Sequence, residues 1–213
     1  EEGLRSLGSI DTMEIEMRNN HGSSFWGELS AKYDQDTNDL KAVIVDTTKR
    51  RNAEQLVLYY TFHDQLTGLP NREMFTNKIE MEIIKSSDRE SDNIFSVMCI
   101  GLDRFKNINE MHGHSLGDRL LKKIAERLRR SIRQNDLLSR FSGDKFMVLF
   151  TDMRKTEGII DIVQKSFNTF ADPFIIDSTV LNVTISIGIC MYPNDGVTAE
   201  SLIQNSEAAM YQA

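Results

Sequence analysis

Cysteine, proline, histidine and tryptophan are all scarce in these 213 residues, which hold 2 Cys, 3 Pro, 4 His and 1 Trp. Cys99 and Cys190 lie inside the apolar stretches SVMCIGL and ISIGICMY, where a free thiol behaves as a small core residue rather than part of a disulfide framework, so a reduced, cytoplasmic setting is expected. There is no CxxC and no HExxH, which leaves little from which to build a transition-metal site. No apolar run approaches the roughly 18 residues of a membrane helix, so no membrane segment is expected in this stretch. Neither charge sign dominates: 25 basic against 32 acidic residues give a net charge of -7, which argues against a nucleic-acid binder that works by neutralising many phosphates. What is present, 40% hydrophobic and 27% charged residues, suits one sizeable core, or one domain with part of another. The chain opens on Glu1 without a charged-then-apolar leader, so a piece of a longer protein is expected, with any membrane anchor outside it.

Periodicity divides the chain. Residues 13–18, 25–33 and 40–46 read as three short strands separated by the turn formers NNHGSS and DQDTND, an antiparallel meander. Residues 49–62 turn helical, with Leu56, Tyr59, Tyr60 and His63 recurring every three or four positions. Asn71 then caps a helix whose inner stripe is expected to be Met74, Ile79 and Ile83. The run FSVMCIGL, residues 95–102, suits a strand buried on both faces. A long amphipathic helix follows from about Ser115 to Gln134, repeating Leu116, Leu120, Ile124, Leu128 and Ile132. LLSRF and KFMVLF flank Ser142-Gly143-Asp144 as a hairpin; a helix, the strands FIID and VLNVTISIGIC, and a last helix complete the chain. Interleaved strands and helices predict an α/β (α+β) domain with helices covering a mixed central sheet.

Polar residues concentrate where apolar elements end: Asp103 to Asn109 after the buried strand, Gly113 to Asp118 at the start of the long helix, and Phe141 to Phe146 at the hairpin. A carboxylate at a strand end, a lysine three residues on and a glycine-bearing hairpin with a second carboxylate suit a nucleoside triphosphate with magnesium. The plainer alternative makes Asp103 and Asn109 turn formers and Ser142-Gly143-Asp144 an ordinary hairpin tip.

His63-Asp64-Gln65-Leu66-Thr67-Gly68-Leu69-Pro70-Asn71-Arg72, Asp103-Arg104-Phe105-Lys106, Gly113-His114-Ser115-Leu116-Gly117-Asp118 and Tyr192-Pro193-Asn194-Asp195-Gly196 resemble, in order and spacing, the GGDEF family of diguanylate cyclases. The resemblance implies a palm-like fold and the joining of two GTP into cyclic di-GMP across a homodimer. It makes Lys106, Ser142 and Gly143 phosphate neighbours, and Asn109 and Asp118 partners of the guanine base. Residues 1–48 resemble the C-terminal part of a PAS sensor domain, without most of a ligand pocket and so without an expected cofactor. Residues 49–62 then become a signalling linker helix, and residues 63–213 the GGDEF domain.

Two departures bear on mechanism. Where active members carry a magnesium-binding Asp, this chain has Gly101; where the signature has Glu, it has Lys145, in Ser142-Gly143-Asp144-Lys145-Phe146. Together they move the local charge about three units toward positive, and like charges some 4 Å apart repel by ~1 to 4 kcal/mol. Asp103 and Asp144 remain as metal ligands, Asp144 also as the surviving catalytic acid, with Mg2+ expected only if GTP is bound. Ser142 adds a Cβ where a phosphate should pass.

Arg133-Gln134-Asn135-Asp136, five residues before the hairpin, matches the family's RxxD inhibition site for cyclic di-GMP. Arg119, Lys122, Lys123, Arg127, Arg129, Arg130 and Arg133 make that helix basic, which reads as a solvated face or as an anion-attracting one. The expectation is a cyclic di-GMP signalling module, impaired in catalysis, that binds nucleotide or regulates a following phosphodiesterase domain of the EAL type. The alternatives are a weakly active cyclase and a pure dimerisation module.

Overall fold

The computed structural model describes residues 9–34, 37, 39–86, 94–153 and 157–213. It divides into two compact units, Glu1–Tyr59 and Tyr60–Ala213.

In the first unit, β1 (Ser9–Arg18), β2 (Ser24–Asp34) and β3 (Asp39–Asp46) form an antiparallel sheet in the order β1-β2-β3. The Asn19 side chain closes the first turn by accepting from the His21 and Ser23 N–H groups at 3.0 Å. Strand β3 passes into helix α1 (Thr48–Phe62) at Asp46, whose carboxylate accepts the Thr48 N–H at 2.9 Å. That bond and one from the Thr48 hydroxyl hold the Asp46 carboxyl below its ordinary range. Arg51 lies over the Trp26 ring at 3.6 Å and pairs with Glu14 at 3.1 Å, which fixes the first turn of α1 against the sheet. The apolar residues of α1 are exposed, including Leu56, Val57, Tyr59 and Tyr60.

The second unit is built on one four-stranded sheet in the order β5-β6-β4-β9: β5 (Leu137–Ser142), β6 (Lys145–Met153), β4 (Ile94–Leu102) and β9 (Ile185–Tyr192). The expected α+β class holds. The sheet is antiparallel in all three pairings rather than mixed, because β5-β6 is a hairpin and β4 runs against both neighbours. As its apolar run requires, β4 is buried on both faces.

Met98, Ile100 and Leu102 of β4 pack with α4 (His114–Ser131) through Leu120, Ile124 and Leu128. On the opposite face Val97 and Cys99 pack with α2 (Arg72–Ser86) and α6 (Ala199–Gln212) through Phe75, Ile79, Leu202 and Met210. Gly188 lets α6 lie on β9, since an added Cβ would strike the Ser206 carbonyl and the Met210 nitrogen. Both thiols are buried, which pushes Cys99 up to about 12 and Cys190 up to about 11.

Three expectations are revised. The buried stripe of α2 is Phe75, Ile79 and Glu82, with Met74 and Ile83 half-buried at its edge; Glu82 is tolerated there because Lys78 and Lys85 approach its carboxylate at 3.1 and 2.8 Å. A short helix α3 (Phe105–His112) precedes α4, which starts and ends earlier than the pattern suggested. The stretch VLNVTISIGIC breaks into β8 (Thr179–Leu181), paired with β7 (Phe174–Ile176), and β9. Helix α5 (Glu157–Ala171) lies where its pattern placed it.

Candidate functional site

The β5-β6 hairpin carries the site and is fixed from behind. Arg140 donates to both oxygens of Asp64 at 3.1 and 3.2 Å, and to the Gly143 carbonyl at 3.1 and 2.8 Å. Asp64 also accepts from the Thr67 N–H and hydroxyl at 2.8 and 2.7 Å. Burial raises the Asp64 pKa, but Thr67 and Arg140 outweigh it and hold the carboxyl below its ordinary value. Gly143, at φ +46, makes the tip, and the Asp144 carbonyl accepts the Leu102 N–H at 3.3 Å. The hairpin tip is thereby tied to the end of β4. Sequence reasoning passed over Arg140, which on pattern is simply a strand residue.

At that junction Gly101 stands directly across from Lys145 on one side and Ser186 on the other. Directly paired residues share a face, and this is the face that α6 covers. The Lys145 ammonium therefore reaches α6 and pairs with Glu207 at 2.6 Å, with Nζ 4.8 Å from the centroid of the Tyr211 ring. Partial burial lowers the Lys145 pKa, but the bonds to Glu207 and Tyr211 more than offset it and raise the net value. An added Cβ at Gly101 would overlap Met210 Sδ. Met210 and Tyr211 lie three and four positions after Glu207 on α6, a spacing that places each beside it on the helix surface. That spacing is the sequence signal that could have pointed to them.

Asp103, Arg104, Asp144 and Lys145 line one cavity of about 280 Å³ with Gly101, Ser186 and Met210. Asp103 Oδ1 accepts the Ser186 hydroxyl at 2.9 Å, and Arg104, at φ 55, turns the chain into α3. The expected ligand pair Asp103 and Asp144 is thus brought together. Among the described residues, however, no group of three or more His, Cys, Asp or Glu is placed to hold a metal. A donor set of two carboxylates accompanied by a guanidinium and an ammonium fits magnesium poorly, since a hard cation needs several anionic oxygens without a competing cation.

Lys106 is exposed and lies 3.6 Å from Glu110. Ser142 and Gly143 line a different, larger cleft of about 890 Å³, with Asp64, Arg72, Arg140 and Glu207. Asn109 and Asp118 are the residues expected beside a guanine base. Asn109 Oδ1 is buried without a hydrogen-bond partner among the described residues, an acceptor whose desolvation only a ligand or solvent N–H or O–H would offset. Gly117 allows this, because a Cβ there would overlap Asn109 Oδ1, and exposed Asp118 is the next residue on α4. Gly117→Ala is expected to displace the Asn109 amide and, with Asn109 meeting guanine as the resemblance implies, to weaken GTP binding about tenfold, as an unpaired polar group of ~1 to 3 kcal/mol implies. Calorimetry would check this, with unchanged affinity counting against the assignment of Asn109.

Arg133 and Asp136 meet in a turn between α4 and β5: the Arg133 N–H donates to Asp136 Oδ2 at 3.3 Å, and the Asp136 N–H to the Arg133 carbonyl at 3.1 Å. Both line a cavity of about 420 Å³ with Arg129, Gln134 and Pro70. Arg129 reaches the same cavity from the last turn of α4. The basic face of α4 is partly spent on the fold. Arg127 donates to the Thr169, Asp172 and Pro173 carbonyls and stacks 3.6 Å over Phe174, and Arg119 pairs with Asp177.

Residues 61–213 match the family model described as "Diguanylate cyclase, GGDEF domain". The chain is 37% identical over 172 residues to the bifunctional diguanylate cyclase/cyclic di-GMP phosphodiesterase MucR of Pseudomonas aeruginosa, covering 81% of this chain and 24% of MucR. It is 36% identical to the cyclic di-GMP phosphodiesterase NbdA of the same organism, covering 71% of this chain and 19% of NbdA. Among solved structures, the isolated GGDEF domain of TpbB from Pseudomonas aeruginosa superposes with a TM-score of 0.67 at 32% identity, covering 71% of this chain and 87% of that one. The chain spans about a quarter or less of the length of these two curated relatives. No described helix is long and apolar enough to cross a membrane.

Proposed function

Since the chain belongs to the GGDEF, or diguanylate cyclase, family, we propose that it is a cyclic di-GMP signalling module that binds guanine nucleotides and is impaired as a cyclase. The observation that carries this reading is the cross-strand pair Gly101 and Lys145, with the ammonium drawn onto Glu207. By resemblance, an active member would present carboxylates at both positions, side by side on the face under α6. Here that face offers no ligand at one position and a positive charge at the other. Phosphoryl transfer by this family rests on charge stabilisation and an activated hydroxyl, so the loss falls on turnover.

Binding groups survive better. Asn109 and Asp118 receive the guanine N–H groups, and Arg133 with Asp136 forms a second guanine site for cyclic di-GMP, the arginine forking onto O6 and N7. Residues 1–48 act as the end of a PAS sensor and residues 49–62 as the linker helix into the GGDEF domain, which works as a homodimer. The exposed apolar residues of α1 support that last assignment. Lengths and names among the relatives support a role beside an EAL phosphodiesterase domain in the whole protein.

The test is to incubate the protein with GTP and magnesium while titrating cyclic di-GMP separately. Cyclic di-GMP binding without product is expected. Metal-dependent product would instead favour the weakly active cyclase, in which Asp103 and Asp144 share the ion.

A further inference from the structure

Resting on that reading, we infer that the phosphate end of the site receives a nucleoside triphosphate without a divalent cation, the Lys145 ammonium supplying the positive charge and Glu207 setting its strength. The reason begins with space. Gly101 contributes no side chain, and the volume its Cβ would occupy is taken by Met210 Sδ. Met210 is itself a core residue, 5% exposed, so the gap left by a missing carboxylate is filled by protein.

Charge points the same way. Lys145 is the cross-strand neighbour of Gly101 and lines the cavity that Asp103 and Asp144 share. A cation is therefore already built into the wall, and a divalent ion entering the cavity would be repelled by it. The Lys145 side chain is only 20% exposed and its amine is held at 2.6 Å from Glu207. An ammonium has three N–H donors; Glu207 takes one and the Tyr211 ring lies beside the amine, which leaves N–H capacity for an anionic oxygen. Lysine meets phosphate as a point charge and needs no forked geometry, so this arrangement suffices to hold one phosphate oxygen.

Glu207 is the competitor. It lines the larger cleft while Lys145 lines the smaller cavity, so the ion pair links the linings of the two. Its negative charge cancels part of the ammonium's pull on phosphate. Neutralising it by Glu207→Gln keeps the shape and releases that pull.

The experiment is a calorimetric titration of the whole chain with GTP, once in excess magnesium and once in excess EDTA. It is repeated on Glu207→Gln and on Lys145→Met, which keeps an unbranched stem beside Tyr211. Equal affinities in magnesium and EDTA, within about twofold, are expected for the parent, with about tenfold weaker binding in Lys145→Met and several-fold tighter binding in Glu207→Gln. GTP binding that disappears in EDTA would overturn the inference while leaving the nucleotide-binding reading intact. Metal-independent binding that neither variant alters would make the ion pair a purely structural tether and would equally overturn it. Loss of folding is checked by melting each variant, and Glu207→Gln alone carries the test if Lys145→Met does not fold. No GTP binding under either condition overturns the inference; if cyclic di-GMP also fails to bind, the nucleotide-binding reading falls with it.

Discussion

Gly101→Asp combined with Lys145→Glu is expected to give the protein a magnesium affinity at least about tenfold above the parent, a change of roughly 1.4 kcal/mol or more. The two positions face each other across β4 and β6, so the new carboxylates would stand on one face beside Asp103 and Asp144. Neither substitution alone should achieve this. Gly101→Asp by itself would set its new carboxylate against the Lys145 ammonium, which would pair with it. Lys145→Glu by itself would bring a second carboxylate toward Glu207, which now lies 2.6 Å from the Lys145 amine, without a ligand from β4. The gain should therefore exceed the product of the single effects, the mark of coupled sites. A cost in stability accompanies it, because Met210 Sδ must move to admit a Cβ at position 101 and Glu207 loses its partner; about 1 to 3 kcal/mol is the scale for such changes. Magnesium titration of the four members of this cycle, followed by calorimetry, is the check. An unchanged affinity in the double variant would mean that these two residues are not what excludes the metal.

Arg133→Ala is expected to weaken cyclic di-GMP binding about 10- to 100-fold, since a bidentate arginine–guanine pair carries roughly 1 to 3 kcal/mol of recognition. The turn that sets Arg133 beside Asp136 is made by backbone N–H groups, so removing the guanidinium leaves it standing. Arg130→Ala is the control: it removes the same charge from the last turn of α4, just before the turn that holds Arg133, at a position that does not line the cavity. If both variants lose affinity equally, attraction by the basic face explains the binding and the RxxD pair does not. Arg129→Ala should fall between the two, because its side chain lines the cavity from one turn earlier.

What the sequence made legible was local. Asn71 as a helix cap follows from residue type and spacing, and its side chain does accept the Met74 N–H at 3.1 Å. The doubly buried β4 and the Ser142-Gly143-Asp144 hairpin were equally open to reading, one from its unbroken apolar run and the other from flanking strands around a glycine. Glu82 was not, because a carboxylate in a buried stripe is acceptable only with Lys78 and Lys85 reaching over it. Helix α3 was hidden by its length, eight residues opened by an arginine at positive φ, a conformation for which residue type gives no warning.

The site divides the same way. Gly101 and Lys145 stand out as departures from a pattern, but what Lys145 touches depends on α6, which comes far later in the chain. Glu207, Met210 and Tyr211 share a face that spacing alone could suggest; which strand positions they would meet was fixed only by the β4–β6 register and by the close approach at Gly188. The unpartnered Asn109 oxygen and the glycine beneath it were likewise invisible until α3 and α4 were placed together.

The most direct measurement is the yield of cyclic di-GMP from GTP and magnesium by the purified chain, read beside its binding of added cyclic di-GMP. The account predicts no detectable product together with cyclic di-GMP binding that Arg133→Ala removes. Product that forms with magnesium and vanishes in EDTA would contradict it, because a cavity walled by Lys145 and lacking a carboxylate at Gly101 would then be supporting the chemistry it is held to have lost.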